Sequence, residues 1–117
     1  MRVTNSGASA VDNNTLIITD PIPTNTEVFT GNLSGGAPLI FVDGTPSSAL
    51  SCAFIALGNL ADCMDFSNNG GASWVYVPNG SFDPAVTNIR FSLSGAMSAN
   101  TGSGNTYFDL KFRVRVK

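Results

Sequence analysis

The sequence predicts an all-β protein, an immunoglobulin-like two-sheet antiparallel β-sandwich of about seven to nine short strands. Three observations predict it. Helix formers are scarce: one Glu, two Lys and no Gln stand against 35 Asn, Ser and Thr among 117 residues. Short apolar runs recur at about ten-residue spacing, separated by Gly, Pro, Asn and Asp. Finally, Phe108, Leu110, Phe112, Val114 and Val116 alternate without exception with Asp109, Lys111, Arg113, Arg115 and Lys117. Eight Phe and one Trp supply a core, which weighs against disorder. The length allows a single module over residues 1–117.

Taken in order, Arg2-Val3-Thr4-Asn5-Ser6 is a first strand, closed by Gly7. A chain that opens inside a strand points to a module excised from a longer protein. Leu16-Ile17-Ile18-Thr19 is a second strand, broken by Asp20-Pro21-Ile22-Pro23, because proline removes a donor and fixes φ. Glu27-Val28-Phe29-Thr30 and the run from Pro38 to Val42 follow, the latter ending on the tight-turn pair Asp43-Gly44. Residues 49–57 are apolar on both alternating faces and fit a buried strand or a short helix.

Met64-Asp65-Phe66-Ser67 and Ser73-Trp74-Val75-Tyr76-Val77 flank Asn68-Asn69-Gly70-Gly71, which predicts a hairpin. Ile89, Phe91 and Leu93 alternate with Arg90, Ser92 and Ser94, as a strand with one wet face does. Residues 95–105 are small and polar, a loop. The last strand, Phe108 to Lys117, turns its five apolar side chains inward. Its opposite face carries four of the six basic residues and suits either solvent or an acidic neighbour.

The cysteines Cys52 and Cys63 are candidates for a disulfide, for two buried thiols or for half a metal site. The last is disfavoured, because there is no His and no Cys-x-x-Cys turn. A disulfide would close a loop worth about 3 kcal/mol and imply an oxidising compartment.

Composition excludes several function classes. A net charge of -2 opposes nucleic-acid binding. No apolar run is long enough for membrane insertion by a helix. Without His, general-base catalysis has few routes. The paired carboxylates Asp62 and Asp65 fit solvated loop positions better than a glycosidase pair. No enzyme, cofactor or metal is therefore expected. Asp12, Asp20, Asp43, Asp62, Asp65 and Asp83 fall in expected turns, where turn formation and calcium ligation compete, and no Asp-x-Asp-x-Asp-Gly loop is present. An isopeptide crosslink needs a buried Lys, and Lys111 and Lys117 fall on the outward register.

Trp74 and Tyr76 are two residues apart and share one strand face. They could form an aromatic platform for sugar rings, with Val75 and Val77 behind, or pack inward with the valines outside. The sequons at Asn13, Asn32 and Asn79 matter only if the source glycosylates its surface proteins.

Val3-Thr4-Asn5-Ser6-Gly7, Ile18-Thr19-Asp20-Pro21-Ile22-Pro23 and the closing strand together resemble a bacterial and archaeal surface-protein repeat, the "conserved repeat domain" (domain of unknown function eleven). Residues 66–73 and 82–89 also resemble its later segments, so the likeness spans nearly the whole chain. The two cysteines lie outside that pattern. The resemblance implies an extracellular β-sandwich module repeated in long surface chains, with no catalytic residues to carry over.

The expected function is a non-catalytic structural or adhesive module of a secreted or cell-surface protein. Its partners would be neighbouring domains of the same chain, and glycan or host surface. The alternative is a carbohydrate-binding module using Trp74 and Tyr76. A third reading is a subunit completed by a neighbour's strand, suggested by the abrupt start of the first strand.

Overall fold

The computed structural model describes Met1–Lys117 and is all-β. Nine strands form: β1 (Arg2–Asn5), β2 (Ile17–Pro21), β3 (Thr26–Phe29), β4 (Leu39–Asp43), β5 (Met64–Ser67), β6 (Phe82–Asp83), β7 (Asn88–Ser92), β8 (Thr106–Phe112) and β9 (Val114–Val116). Every ladder between them is antiparallel. They divide into three sheets, where the sequence suggests two: β1-β8-β4, β2-β7-β5 and β6-β3-β9. The molecule is elongated, 44 × 26 × 24 Å.

One core joins the sheets. Leu39, Phe108 and Leu110 of the first sheet, Met64, Phe66, Ile89 and Phe91 of the second and Val28 of the third belong to a single buried cluster. Phe91 and Phe112 meet across the first two sheets with ring centroids 6.1 Å apart. Phe66, Phe91 and Phe108 are fully buried, each worth about 2–3 kcal/mol of apolar transfer. The alternation on β7 is as the sequence predicts, with Ile89 and Phe91 inside and Arg90 and Ser92 toward the other face.

Several local expectations are corrected. Pro21 does not break its strand: it is the last residue of β2, pairs Asn88 and lies on a sheet edge, where a missing donor costs little. Residues 49–57 form neither a buried strand nor a helix; a single bridge joins Ser51 to Ser94. The turn after Ser67 forms, but residues 73–77 return without a ladder; the one backbone bond between the two arms runs from the Tyr76 N–H to the Phe66 carbonyl. Asp43-Gly44 does turn the chain, though not as a two-residue hairpin, since β4 pairs with the distant β8.

The terminal ribbon differs most from expectation. It keeps its period of two but changes partner at Arg113, from β4 alongside β8 to β3 alongside β9. Phe108 and Leu110 are fully buried and Phe112 half-buried, whereas Val114 and Val116 are 46% and 72% exposed. The inward face outruns the core that should cover it.

Candidate functional site

Cys52 and Cys63 form a disulfide, with Cα atoms 5.1 Å apart. It lies just before β5 and ties residues 52–63 into a stapled loop. A carboxylate completes the staple. Asp62 Oδ2 accepts the N–H groups of Ile55 and Ala56 at 2.9 and 3.2 Å, and Oδ1 accepts that of Met64 at 3.0 Å. Buried backbone donors of an irregular loop need partners, and this side chain supplies three acceptor contacts.

Other aspartates do similar work. Asp43 Oδ1 accepts the Ser48 N–H at 2.8 Å and the Ser48 hydroxyl at 2.6 Å, while Oδ2 accepts the Ser47 hydroxyl. Burial pushes the Asp43 carboxyl up, but the bonds from Ser47, Ser48 and Gly44 outweigh it and hold the group below its ordinary value. Asp83 accepts the N–H groups of Asn79 and Ala85, both at 2.9 Å, and the Tyr76 hydroxyl at 3.0 Å. Burial, then the neighbouring Asp83, raises the Tyr76 phenol above its ordinary value.

Trp74 and Tyr76 are both half-buried, with Val75 and Val77 exposed outside them. The rings are engaged separately. Tyr76 packs against the core and bonds Asp83, while Trp74 lies over Arg90, whose guanidinium carbon is 4.9 Å from the ring centroid. Arg90 in turn grips Asp65, a buried side chain on the neighbouring strand β5. Asp20 and Asp65 sit inside strands and Asp43 and Asp83 are the last residues of theirs, whereas the sequence predicts a turn for each. No three Cys, Asp or Glu side chains converge as a metal-binding group. Lys111 and Lys117 are exposed, and the Lys117 ammonium donates to the Thr24 carbonyl at 3.2 Å. Asn13, Asn32 and Asn79 are all exposed.

The basic ribbon has a built outer surface. Phe29 and Phe82 pack at 5.1 Å, with Arg113 over Phe29 at 5.3 Å and Arg115 over Phe82 at 4.0 Å. Arg115 also bonds Glu27 at 2.7 Å across the β3–β9 ladder. Lys111, Arg113 and Lys117 have no carboxylate partner. At the far end Arg2 bridges to Asp109 at 2.8 Å and covers Tyr107; this bond raises the Arg2 guanidinium and holds the Asp109 carboxyl low.

The sequence places the basic residues on one face but gives no sign of these aromatic seats. Phe29, Phe82 and Arg115 lie far apart in the chain and meet only through β3. No helix is long and apolar enough to cross a membrane. Comparison with protein-family models, with curated proteins and with solved structures gives no match for this chain.

Proposed function

We propose that the chain is a non-catalytic structural or adhesive module of a secreted or cell-surface protein. The observation that carries this reading is the use of the carboxylates. Six of the eight are engaged: Asp43, Asp62 and Asp83 pin loops, and Glu27, Asp65 and Asp109 pair with arginines across strands. Catalytic acids and bases converge where a substrate can sit. These are dispersed along the fold, each satisfying backbone or guanidinium donors. The Cys52–Cys63 disulfide favours an oxidising, extracellular setting. The resemblance to the conserved repeat domain favours neighbouring modules of the same chain as partners.

The glycan-binding alternative has less support. The Trp74 ring lies against Arg90 and the Tyr76 hydroxyl is tied to Asp83. A glycan titration that shifts Trp74 fluorescence would revive it.

Labelling intact source cells with a membrane-impermeant amine reagent tests the main reading. The native protein is expected to be labelled and to contain no free thiol. An unlabelled cytosolic protein with two reactive thiols would overturn the proposal.

A further inference from the structure

The sequence holds two Asn-Gly pairs, Asn69-Gly70 and Asn79-Gly80, and the fold treats them oppositely. In both the asparagine is exposed and the glycine has positive φ, +72° at Gly70 and +79° at Gly80. Such a pair carries its own chemistry. The glycine nitrogen, unscreened by a Cβ, can attack the side-chain amide carbon of the residue before it. What holds the two groups decides whether it does.

At Asn79 the side chain lies along its own turn. Oδ1 accepts the Ser81 N–H at 2.8 Å, an Asx turn that folds the amide back over the Asn79–Gly80 peptide. Nδ2 has only a 3.3 Å bond to the Phe82 carbonyl, and the Gly80 N–H donates no hydrogen bond. At Asn69 the arrangement is reversed. Oδ1 accepts the Ser73 N–H at 3.0 Å and the Ser67 hydroxyl at 2.8 Å, and Nδ2 donates to Ser73 Oγ at 2.9 Å. That amide is held by Ser67 and Ser73, and the Gly70 N–H donates to Thr87 Oγ1 at 2.9 Å. Both amide oxygens accept a backbone N–H, so polarisation of the carbonyl does not separate the two pairs. The state of the glycine nitrogen does.

We infer that Asn79 is a site of spontaneous covalent modification, in which the Gly80 nitrogen closes on its side chain, and that the fold protects Asn69 from the same reaction. Water takes the Gly80 amide proton, a bond forms between that nitrogen and Asn79 Cγ, and the Cγ–Nδ2 bond breaks with loss of ammonia. Water then opens the cyclic imide. Breaking the new bond to Cγ leaves aspartate at position 79; breaking the bond to the main-chain carbonyl leaves isoaspartate. Water is consumed, ammonia is released, and nothing is oxidised or reduced. Either product brings a carboxylate beside Asp83, whose Oδ2 accepts the N–H of residue 79 at 2.9 Å and the Tyr76 hydroxyl at 3.0 Å. Like charges so placed repel, and the conversion therefore loosens the turn that leads into β6. The inference stands on these two turns and is independent of the proposed function.

The test incubates the whole, disulfide-bonded chain in warm, mildly alkaline buffer and follows both pairs by peptide mapping with mass spectrometry, isoaspartate and aspartate being resolved by retention. Asn79 is expected to convert at least ~10-fold faster than Asn69, the effect on a rate of tying up the nucleophile in one hydrogen bond. In urea, with the disulfide reduced, the two rates are expected to converge, because both pairs are Asn-Gly and only the fold distinguishes them. Thr87→Val removes the acceptor that holds the Gly70 N–H, and is expected to raise conversion at Asn69 and leave Asn79 unchanged. The comparison within the parent chain decides alone if that variant does not fold. Equal rates at the two pairs in the folded chain, faster conversion at Asn69, a difference that survives unfolding, or no rise at Asn69 in folded Thr87→Val would each overturn the inference.

Discussion

Arg90 holds Asp65 through one oxygen only. Its Nε and Nη2 lie 3.1 and 2.7 Å from Oδ2, while Oδ1 is buried with no partner. The two residues are direct cross-strand neighbours in the β5–β7 ladder, and the Asp65 side chain is 3% exposed against 29% for Arg90. The pair is therefore asymmetric, and so are the consequences of breaking it.

Arg90→Ala is expected to be the costlier change, about 3 kcal/mol, because it strands a buried carboxylate and uncovers Trp74. Asp65→Ala should cost only about 1 kcal/mol, because the guanidinium it releases can turn toward water. Urea unfolding of the two variants measures the difference; equal losses would contradict the asymmetry.

Reducing the Cys52–Cys63 disulfide frees a loop that the bond closes over a separation of 11 residues. Stability is expected to fall by about 3 kcal/mol. Unfolding midpoints with and without reductant read it directly. The fold should persist in part around this loop, since the three contacts of Asp62 do not depend on the bond.

Asp43 gives a pH dependence with a definite sign. Its carboxyl titrates lower in the folded chain than in the unfolded one. The stability it contributes is present above its unfolded value, near pH 4, and is lost as pH falls through the lower folded value. Asp43→Asn should therefore flatten the acid limb of stability against pH relative to the parent, with little change in slope near neutrality. An unchanged acid limb would rule out this role.

Gly95 and Gly102 separate conformation from space. Both have positive φ, +107° and +91°. A Cβ at Gly95 would lie 2.6 Å from the Ala49 carbonyl oxygen, whereas one at Gly102 meets nothing within 4 Å. Gly95→Ala is expected to cost about 2–3 kcal/mol and Gly102→Ala about 1 kcal/mol, as thermal unfolding would show.

The ribbon offers a graded series. Leu110→Ala should cost about 2–5 kcal/mol, since the side chain is fully buried. Val116→Thr on the same face should stay within about 0.5 kcal/mol, because the position is open to solvent. A comparable loss at both sites would mean that the core extends further than the structure places it.

That contrast also shows what the sequence could and could not reveal. The period of two from Phe108 to Val116 assigns the faces correctly, because alternation is a local property of an extended chain. How far the core reaches along the strand depends on what lies across from it, and Phe91 reaches only to Phe112. The all-β class and the strand on Ile89 and Phe91 were legible for the same local reason. Residues 49–57 were not, because their apolar content serves a disulfide loop whose donors are met by Asp62, ten residues from Cys52. Trp74 was legible as facing inward or outward but not as a lid on Arg90, since its partner comes from a different strand. The division into three ladders was beyond the pattern as well: the ribbon changes partner where Leu39, the first residue of β4, pairs Phe112 and the N–H of Phe29, the last residue of β3, donates to the Arg113 carbonyl.

A single ribbon serves two sheets, so a force applied along it is borne by both. Its ladder bonds to β1, β4 and β3 lie across the strand direction, so a pull on Lys117 along the strand loads them side by side and not one after another. The molecule meets such a tug in shear, with the grip of three neighbours sharing the load.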